Sequence, residues 1–131
     1  MTTAHHKLKV LTVDDSTKIA QHLSRILSEI IYVEQTGHAY SLADAHRLIS
    51  NTIPQTIILD IQLKEESGLD LLTFIHKNYP EITVIMLSNM AYPAYRSKCI
   101  ELGAKYFLDK STDFEKINEV LDIIYNEQLA Q

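Results

Sequence analysis

A single cysteine, Cys99, stands among the 131 residues, so no internal disulfide can form and a reducing compartment is expected. No apolar run comes near the roughly 20 residues that a membrane span needs, so no membrane insertion is expected. The N-terminal stretch from Met1 to His6 has no apolar core of the kind a signal peptide carries. Three glycines and three prolines leave no Gly/Pro-rich linker, and neither a repeat nor a low-complexity segment interrupts the chain. Basic residues are in the minority, 12 Lys and Arg against 17 Asp and Glu for a formal net charge of −5, and they are scattered rather than clustered. That excludes an electrostatic surface for nucleic acid. The six histidines show no metal-ligand spacing and no evident catalytic partner, so surface or packing roles are expected of them. What remains is a cytoplasmic domain of ordinary size, 46% apolar and able to bury a proper core.

The chain is organised around Thr56-Ile57-Ile58-Leu59-Asp60. Consecutive large apolar residues predict a strand buried on both faces, as in a parallel sheet with helices above and below. Leu8 to Val13 reads as a first strand ending in Asp14-Asp15, and Ile31 to Thr36 as a second, weakened by Glu34 and Gln35. Ile82 to Leu87 makes a fourth strand ending at Ser88, and Tyr106 to Leu108 a fifth, followed by Asp109 and Lys110. Helical spacing lies between them. Ser16 caps a helix with Ile19, Leu23, Ile26, Leu27 and Ile30 on one face. Ser41 and Asp44 have capping-box spacing, with Leu42, Ala45, Leu48 and Ile49 behind them. A third helix follows Gly68, a fourth runs from Pro93 to Gly103, and a fifth follows a second capping-box pattern at Thr112 and Glu115. Five alternations predict an α/β fold: a doubly wound, five-stranded parallel sheet with five helices and right-handed crossovers.

Four strands end in Asp14-Asp15, Asp60, Ser88 and Lys110. Taken singly these are an N-cap, a turn residue and a surface lysine. Taken together they occupy the ends where open α/β sheets bind ligands. In the order 2-1-3-4-5, the flavodoxin-like arrangement, the four ends share one rim, and Asp15 and Asp60 face each other at the switch point. Three clustered carboxylates repel one another unless a proton or cation neutralises them. All-oxygen ligands suit a hard cation, with Mg2+ the first candidate. With a mobile lysine charge and a hydroxyl, this describes an oxyanion site for phosphate with a carboxylate as nucleophile.

At these residues the chain resembles the receiver (response regulator, CheY-like) domain of two-component signal transduction. The matching pieces are Val13-Asp14-Asp15-Ser16, Ile58-Leu59-Asp60-Ile61-Gln62-Leu63 with Gly68, Leu87-Ser88, and Gly103-Ala104 with Phe107-Leu108-Asp109-Lys110. The resemblance implies that Asp60 accepts a phosphoryl group from a phosphohistidine of a histidine kinase or histidine phosphotransfer protein. It implies Asp14, Asp15, Asp60 and the backbone carbonyl of Gln62 at a Mg2+ site, and Ser88 and Lys110 on the phosphoryl oxygens. It implies that Ser88 and Phe107 form a switch, Phe107 changing rotamer on activation. A downstream protein partner, or self-association, is expected on the face of the fourth helix, fifth strand and fifth helix, near Tyr92, Tyr95 and Tyr106. Three positions depart from the family's usual pattern. Ser111 stands where proline commonly follows the lysine, Lys64 where proline commonly follows Leu63, and Asn89 where a small residue follows the hydroxyl.

The expectation is one stand-alone receiver domain over residues 1–131, core about 8–126, with no output domain and no activity beyond its own phosphorylation and dephosphorylation. A Mg2+-dependent phosphatase with an aspartyl-phosphate intermediate is one alternative. Such enzymes of the haloacid-dehalogenase type carry a second acid two residues after the nucleophile, where this chain has Gln62. A receiver that binds partners without phosphorylation is the other; the intact acidic set, Ser88 and Lys110 argue against it.

Overall fold

Strand and helix alternate along the chain as the apolar pattern requires. The computed structural model describes residues 6–131, so Met1 to His5 of the N-terminal stretch lie outside the described residues. The elements are β1 (Leu8–Val13), α1 (Thr17–Ser28), β2 (Val33–Ala39), α2 (Leu42–Asn51), β3 (Thr56–Leu59), β4 (Gln62–Leu63), β5 (Glu66–Ser67), α3 (Gly68–Asn78), β6 (Thr83–Ser88), α4 (Pro93–Glu101), β7 (Tyr106–Asp109) and α5 (Lys116–Leu129). Five strands form one parallel sheet in the order β2-β1-β3-β6-β7. That is the expected 2-1-3-4-5 once the two-residue strands β4 and β5, an antiparallel hairpin apart from the sheet, are set aside. No helix of the described residues is long and apolar enough to cross a membrane.

Side chains alternate across each strand, which explains the unbroken apolar runs. On one face Leu11, Val13, Ile57, Leu59, Met86 and Phe107 pack under α2, α3 and α4. On the other, Leu8, Val10, Ile58, Ile85, Leu87 and Leu108 pack under α1 and α5. Ile57 and Ile58 thus belong to different cores.

Ser16 Oγ accepts from Ile19 N–H at 3.2 Å and Ser41 Oγ from Asp44 N–H at 3.2 Å. Pro93 occupies the first turn of α4, and Gly103 ends the helix with φ +116°. Two local expectations need correction. The Thr112–Glu115 box does not form: α5 begins at Lys116 without a side-chain cap, and Thr112 Oγ1 donates to Asp113 at 3.1 Å instead. The second strand starts two residues later than read and runs on to Ala39. Its register slips between Val10 and Leu11, whose partners are Gln35 and Gly37, so Thr36 is the extra residue of a β-bulge. The bulge let a half-polar stretch continue as a strand.

Candidate functional site

Parallel strands deliver their C-terminal ends to one rim, and this strand order sets Asp14, Asp15, Asp60, Ser88 and Lys110 side by side. Asp14, Asp15 and Asp60 each present an oxygen within 4.8 Å of the others. Asp14 and Asp60 are 2% and 7% exposed, whereas Asp15 is half-buried. Lys110 Nζ lies 2.6 Å from Asp14 Oδ2 and 2.8 Å from Asp60 Oδ2, with its side chain only 8% exposed. The lysine is therefore not the mobile charge its sequence position suggested; it is a buried bridge between two carboxylates. Asp15, Asp60, Ser88 and Lys110 line a cavity of about 370 Å³, together with Ile19, Gln62, Lys64, Asn89 and Met90.

The charges do not balance. Burial pushes the Asp60 carboxyl above the usual carboxylate range; Lys110 pulls it down, the Asp14 charge adds to the rise, and the Ser88 hydroxyl lowers it slightly. Burial works against the charge on Lys110, but the hydrogen bonds to Asp14 and Asp60 and the charges of both together outweigh it and raise its pKa. Burial sets the direction for Asp60 and the two carboxylates together set it for Lys110; a single ammonium serves both carboxylates, before Asp15 is counted. A hard cation would offset that excess, and the all-oxygen donor set suits one.

Local geometry supports each group. Gly68 opens α3 directly against the Asp60 peptide; a Cβ there would lie 1.9 Å from the Asp60 carbonyl oxygen. Ser88 Oγ accepts from Met90 N–H at 3.0 Å, leaving its own proton to donate, and the Ser88 carbonyl accepts from Lys110 N–H at 3.0 Å. Gln62 is exposed, and its N–H reaches Asp60 Oδ1 only at 3.5 Å. Lys64, in place of proline, turns the β4–β5 hairpin with φ 54°. Asn89 is exposed at the cavity wall. After Lys110 the peptide to Ser111 is trans. In place of the usual proline, Asp109 Oδ1 accepts from Ser111 N–H at 2.8 Å and Oγ at 2.6 Å, while Asp113 Oδ2 accepts from Asp109 N–H at 2.9 Å.

Phe107 is buried, at 6% exposure, beside Met86, Cys99 and Ala104. The Arg96 guanidinium lies 4.8 Å from its ring centroid and donates to its carbonyl at 3.1 Å. Tyr92 is exposed, and Tyr95 and Tyr106 are half-buried. Sequence reasoning missed His38. Its Nε2 lies 2.8 Å from the Asp14 carbonyl oxygen. The one local signal was Gly37 inside a strand, a mark of a bulge or close backbone approach.

A sequence model described as the response regulator receiver domain matches residues 10–122. A protein-glutamate methylesterase/protein-glutamine glutaminase of Pyrococcus horikoshii is 32% identical over 114 residues, 86% of this chain and 31% of its own length. The sensory transduction protein LytT of Enterococcus faecalis is 31% identical over 118 residues, 88% of this chain and 47% of its own. The chain thus spans a third to a half of the length of these curated relatives. The response regulator domain of Thermotoga maritima CheB superposes with a TM-score of 0.79 at 26% identity, covering 92% of this chain and 95% of that one.

Proposed function

The chain belongs to the response regulator receiver domain family of two-component signalling, and from that premise we propose that it is a phosphorylation-dependent switch with Asp60 as phosphoacceptor. The observation that carries this is the buried meeting of Asp60, Asp14 and Lys110 at 2.6–2.8 Å beside Asp15, where Asp15, Asp60 and Lys110 line one cavity. An Asp60 oxygen attacks the phosphorus of a phosphohistidine on a histidine kinase or histidine phosphotransfer protein. The P–O bond to Asp60 forms as the P–N bond breaks, and the imidazole leaves with the electron pair of that bond. Asp14, Asp15, Asp60 and the Gln62 carbonyl would hold Mg2+, which supplies the positive charge that brings an anionic nucleophile and an anionic phosphoryl group together. Lys110 sits beside the acceptor oxygens, and Ser88 has a proton to donate to a phosphoryl oxygen. Gly68 lets α3 approach the Asp60 backbone.

The output on this reading is conformational. A downstream partner, or a second copy, meets the face of α4, β7 and α5 in the cytoplasm, and the domain catalyses only its own phosphorylation and dephosphorylation. Similarity to the methylesterase is confined to 31% of that protein's length, so its activity is not carried over. The test is intact-protein mass spectrometry after acetyl phosphate with Mg2+. One phosphoryl group is expected on the wild type and none on Asp60→Asn; equal labelling of the two would remove Asp60 from its role.

A further inference from the structure

Asp14 is held by more than its carboxylate. Its N–H donates to Ala39 C=O at 3.0 Å, and its Oδ1 accepts from Ser16 N–H at 2.9 Å. Its carbonyl oxygen faces His38 Nε2 at 2.8 Å. A carbonyl can only accept, so Nε2 carries the proton. In the neutral ring a proton on Nε2 leaves Nδ1 as an acceptor. Thr12 Oγ1, fully buried, lies 2.6 Å from Nδ1 and donates to it. The same oxygen accepts from Gln35 Nε2 at 2.9 Å, and Gln35 Oε1 accepts from Ser24 Oγ at 3.0 Å. Donors therefore run in one direction, from Ser24 on α1 through Gln35, Thr12 and His38 to the Asp14 peptide.

The bulge at Thr36 makes this chain geometrically available. Residues three apart on a regular strand point to opposite faces. The inserted residue returns Gln35 and His38 to the same face, where both meet Thr12, the Cα partner of His38. Bulges beside functional sites characteristically re-aim a side chain in this way.

We propose that His38 is a positioning residue for the acidic rim: its Nε2–H, aimed by the Ser24–Gln35–Thr12 chain, fixes the Asp14–Asp15 peptide plane and so holds these two carboxylates convergent on Asp60. This rests on the reading of Asp14, Asp15 and Asp60 as a cation and phosphoryl site. It gives a histidine on β2, outside the rim itself, a defined part in that site. It also ties α1 to the rim through Ser24.

The measurement is Mg2+ affinity, read from the backbone amide signals of Asp14 and Asp15, with uptake of phosphoryl from acetyl phosphate as a second readout. His38→Phe keeps the ring shape and removes both nitrogens. It should weaken Mg2+ binding about tenfold, on the order of one hydrogen bond lost from an ordered site, and slow uptake in step. His38→Gln offers an amide N–H to the same carbonyl and should return affinity to within about threefold of wild type. Ring-nitrogen shifts of the wild type should show a protonated Nε2 and a bare Nδ1, and Thr12→Val should disturb that tautomer. A folded His38→Phe with wild-type Mg2+ affinity would overturn the proposal. So would a Gln variant no better than Phe, which would mark a packing role, or a wild-type ring protonated at Nδ1. If His38→Phe does not fold, the Gln variant and the ring nitrogens decide. Failure of the wild type to bind Mg2+ would fell the reading of the rim instead. The cation-free tautomer and Asp14 amide shifts would then still judge whether His38 orients that peptide.

Discussion

Asp60 carries a charge that its surroundings do not fully compensate, and this sets the sign of its effect on stability. Its pKa is raised by burial, so the folded chain binds a proton there more readily than the unfolded chain does. The group's contribution therefore falls as pH rises from the ordinary carboxylate range through the raised value, and at neutral pH ionised Asp60 is a cost. Breaking a buried ion pair is usually destabilising because it leaves an unpaired charge. Here Lys110 keeps Asp14 at 2.6 Å, so Asp60→Asn turns two carboxylates per ammonium into one. In cation-free buffer at neutral pH, Asp60→Asn should melt a few degrees above wild type, and added Mg2+ should raise the wild-type Tm while moving the variant much less. Thermal unfolding by circular dichroism with and without MgCl2 checks both; a variant less stable than wild type without cation would show that Lys110 needs both partners. The identity of these groups was legible because each ends a strand. The burial of Lys110 was not, since nothing local tells a bridging lysine from a solvated one. His38 was harder still: its role depends on partners 26 and 24 positions away in sequence, Thr12 and Asp14.

At the scale of elements, apolar periodicity located every helix and every strand of the main sheet, because the two-sided burial of this sheet writes itself into consecutive apolar residues. β2 was the exception at its boundaries. It is an edge strand, so only part of it is buried, and the bulge at Thr36 breaks the period of two that sequence reading relies on. The β4–β5 hairpin, two residues a side, is too short to carry any period. Gly68 is where element and site meet. In a helix interior alanine would be favoured over glycine by about 0.5–1 kcal/mol, but Gly68 is the first residue of α3. Space decides here: the new Cβ would lie 1.9 Å from the Asp60 carbonyl oxygen, and the blocking atom is backbone. Gly68→Ala should therefore destabilise by more than about 2 kcal/mol, read as a lowered urea midpoint at unchanged slope, and should also weaken Mg2+ binding because the Asp60 peptide must move. A variant as stable as wild type would mean that α3 shifts freely past the rim.

At the scale of the whole molecule, the rim and the face of α4 and β7 are linked through the sheet. The sheet gives a short route. Ser88 pairs with Asp109 and Met86 with Phe107 in the β6–β7 register, and Ser88 Oγ holds Met90 N–H at the start of the segment leading to α4. A phosphoryl group on Asp60 would offer new acceptor oxygens to the Ser88 hydroxyl. If Ser88 turns to one of them, it releases Met90 and changes the space behind it. Phe107 lies on the side of the sheet covered by α4, and its ring and carbonyl are both held by Arg96. Having no hydroxyl, Phe107 can change rotamer without stranding a buried polar group. Moving a two-state equilibrium from about 1:99 to about 99:1 takes about 5.5 kcal/mol, whereas one hydrogen bond to a charged group is worth about 1.5–3 kcal/mol. The Ser88 bond alone thus shifts the population by one to two orders of magnitude, and the response should be partial. Beryllofluoride, a mimic of the phosphoryl group, should therefore perturb the amides of Ala91, Tyr95, Arg96 and Phe107 as well as those of the rim, with shifts short of a full change of state. Ser88→Ala should still take up the mimic but lose most of the distant shifts. Perturbation confined to Asp14, Asp15, Asp60 and their immediate neighbours in the wild type would leave a phosphoryl site uncoupled from that face.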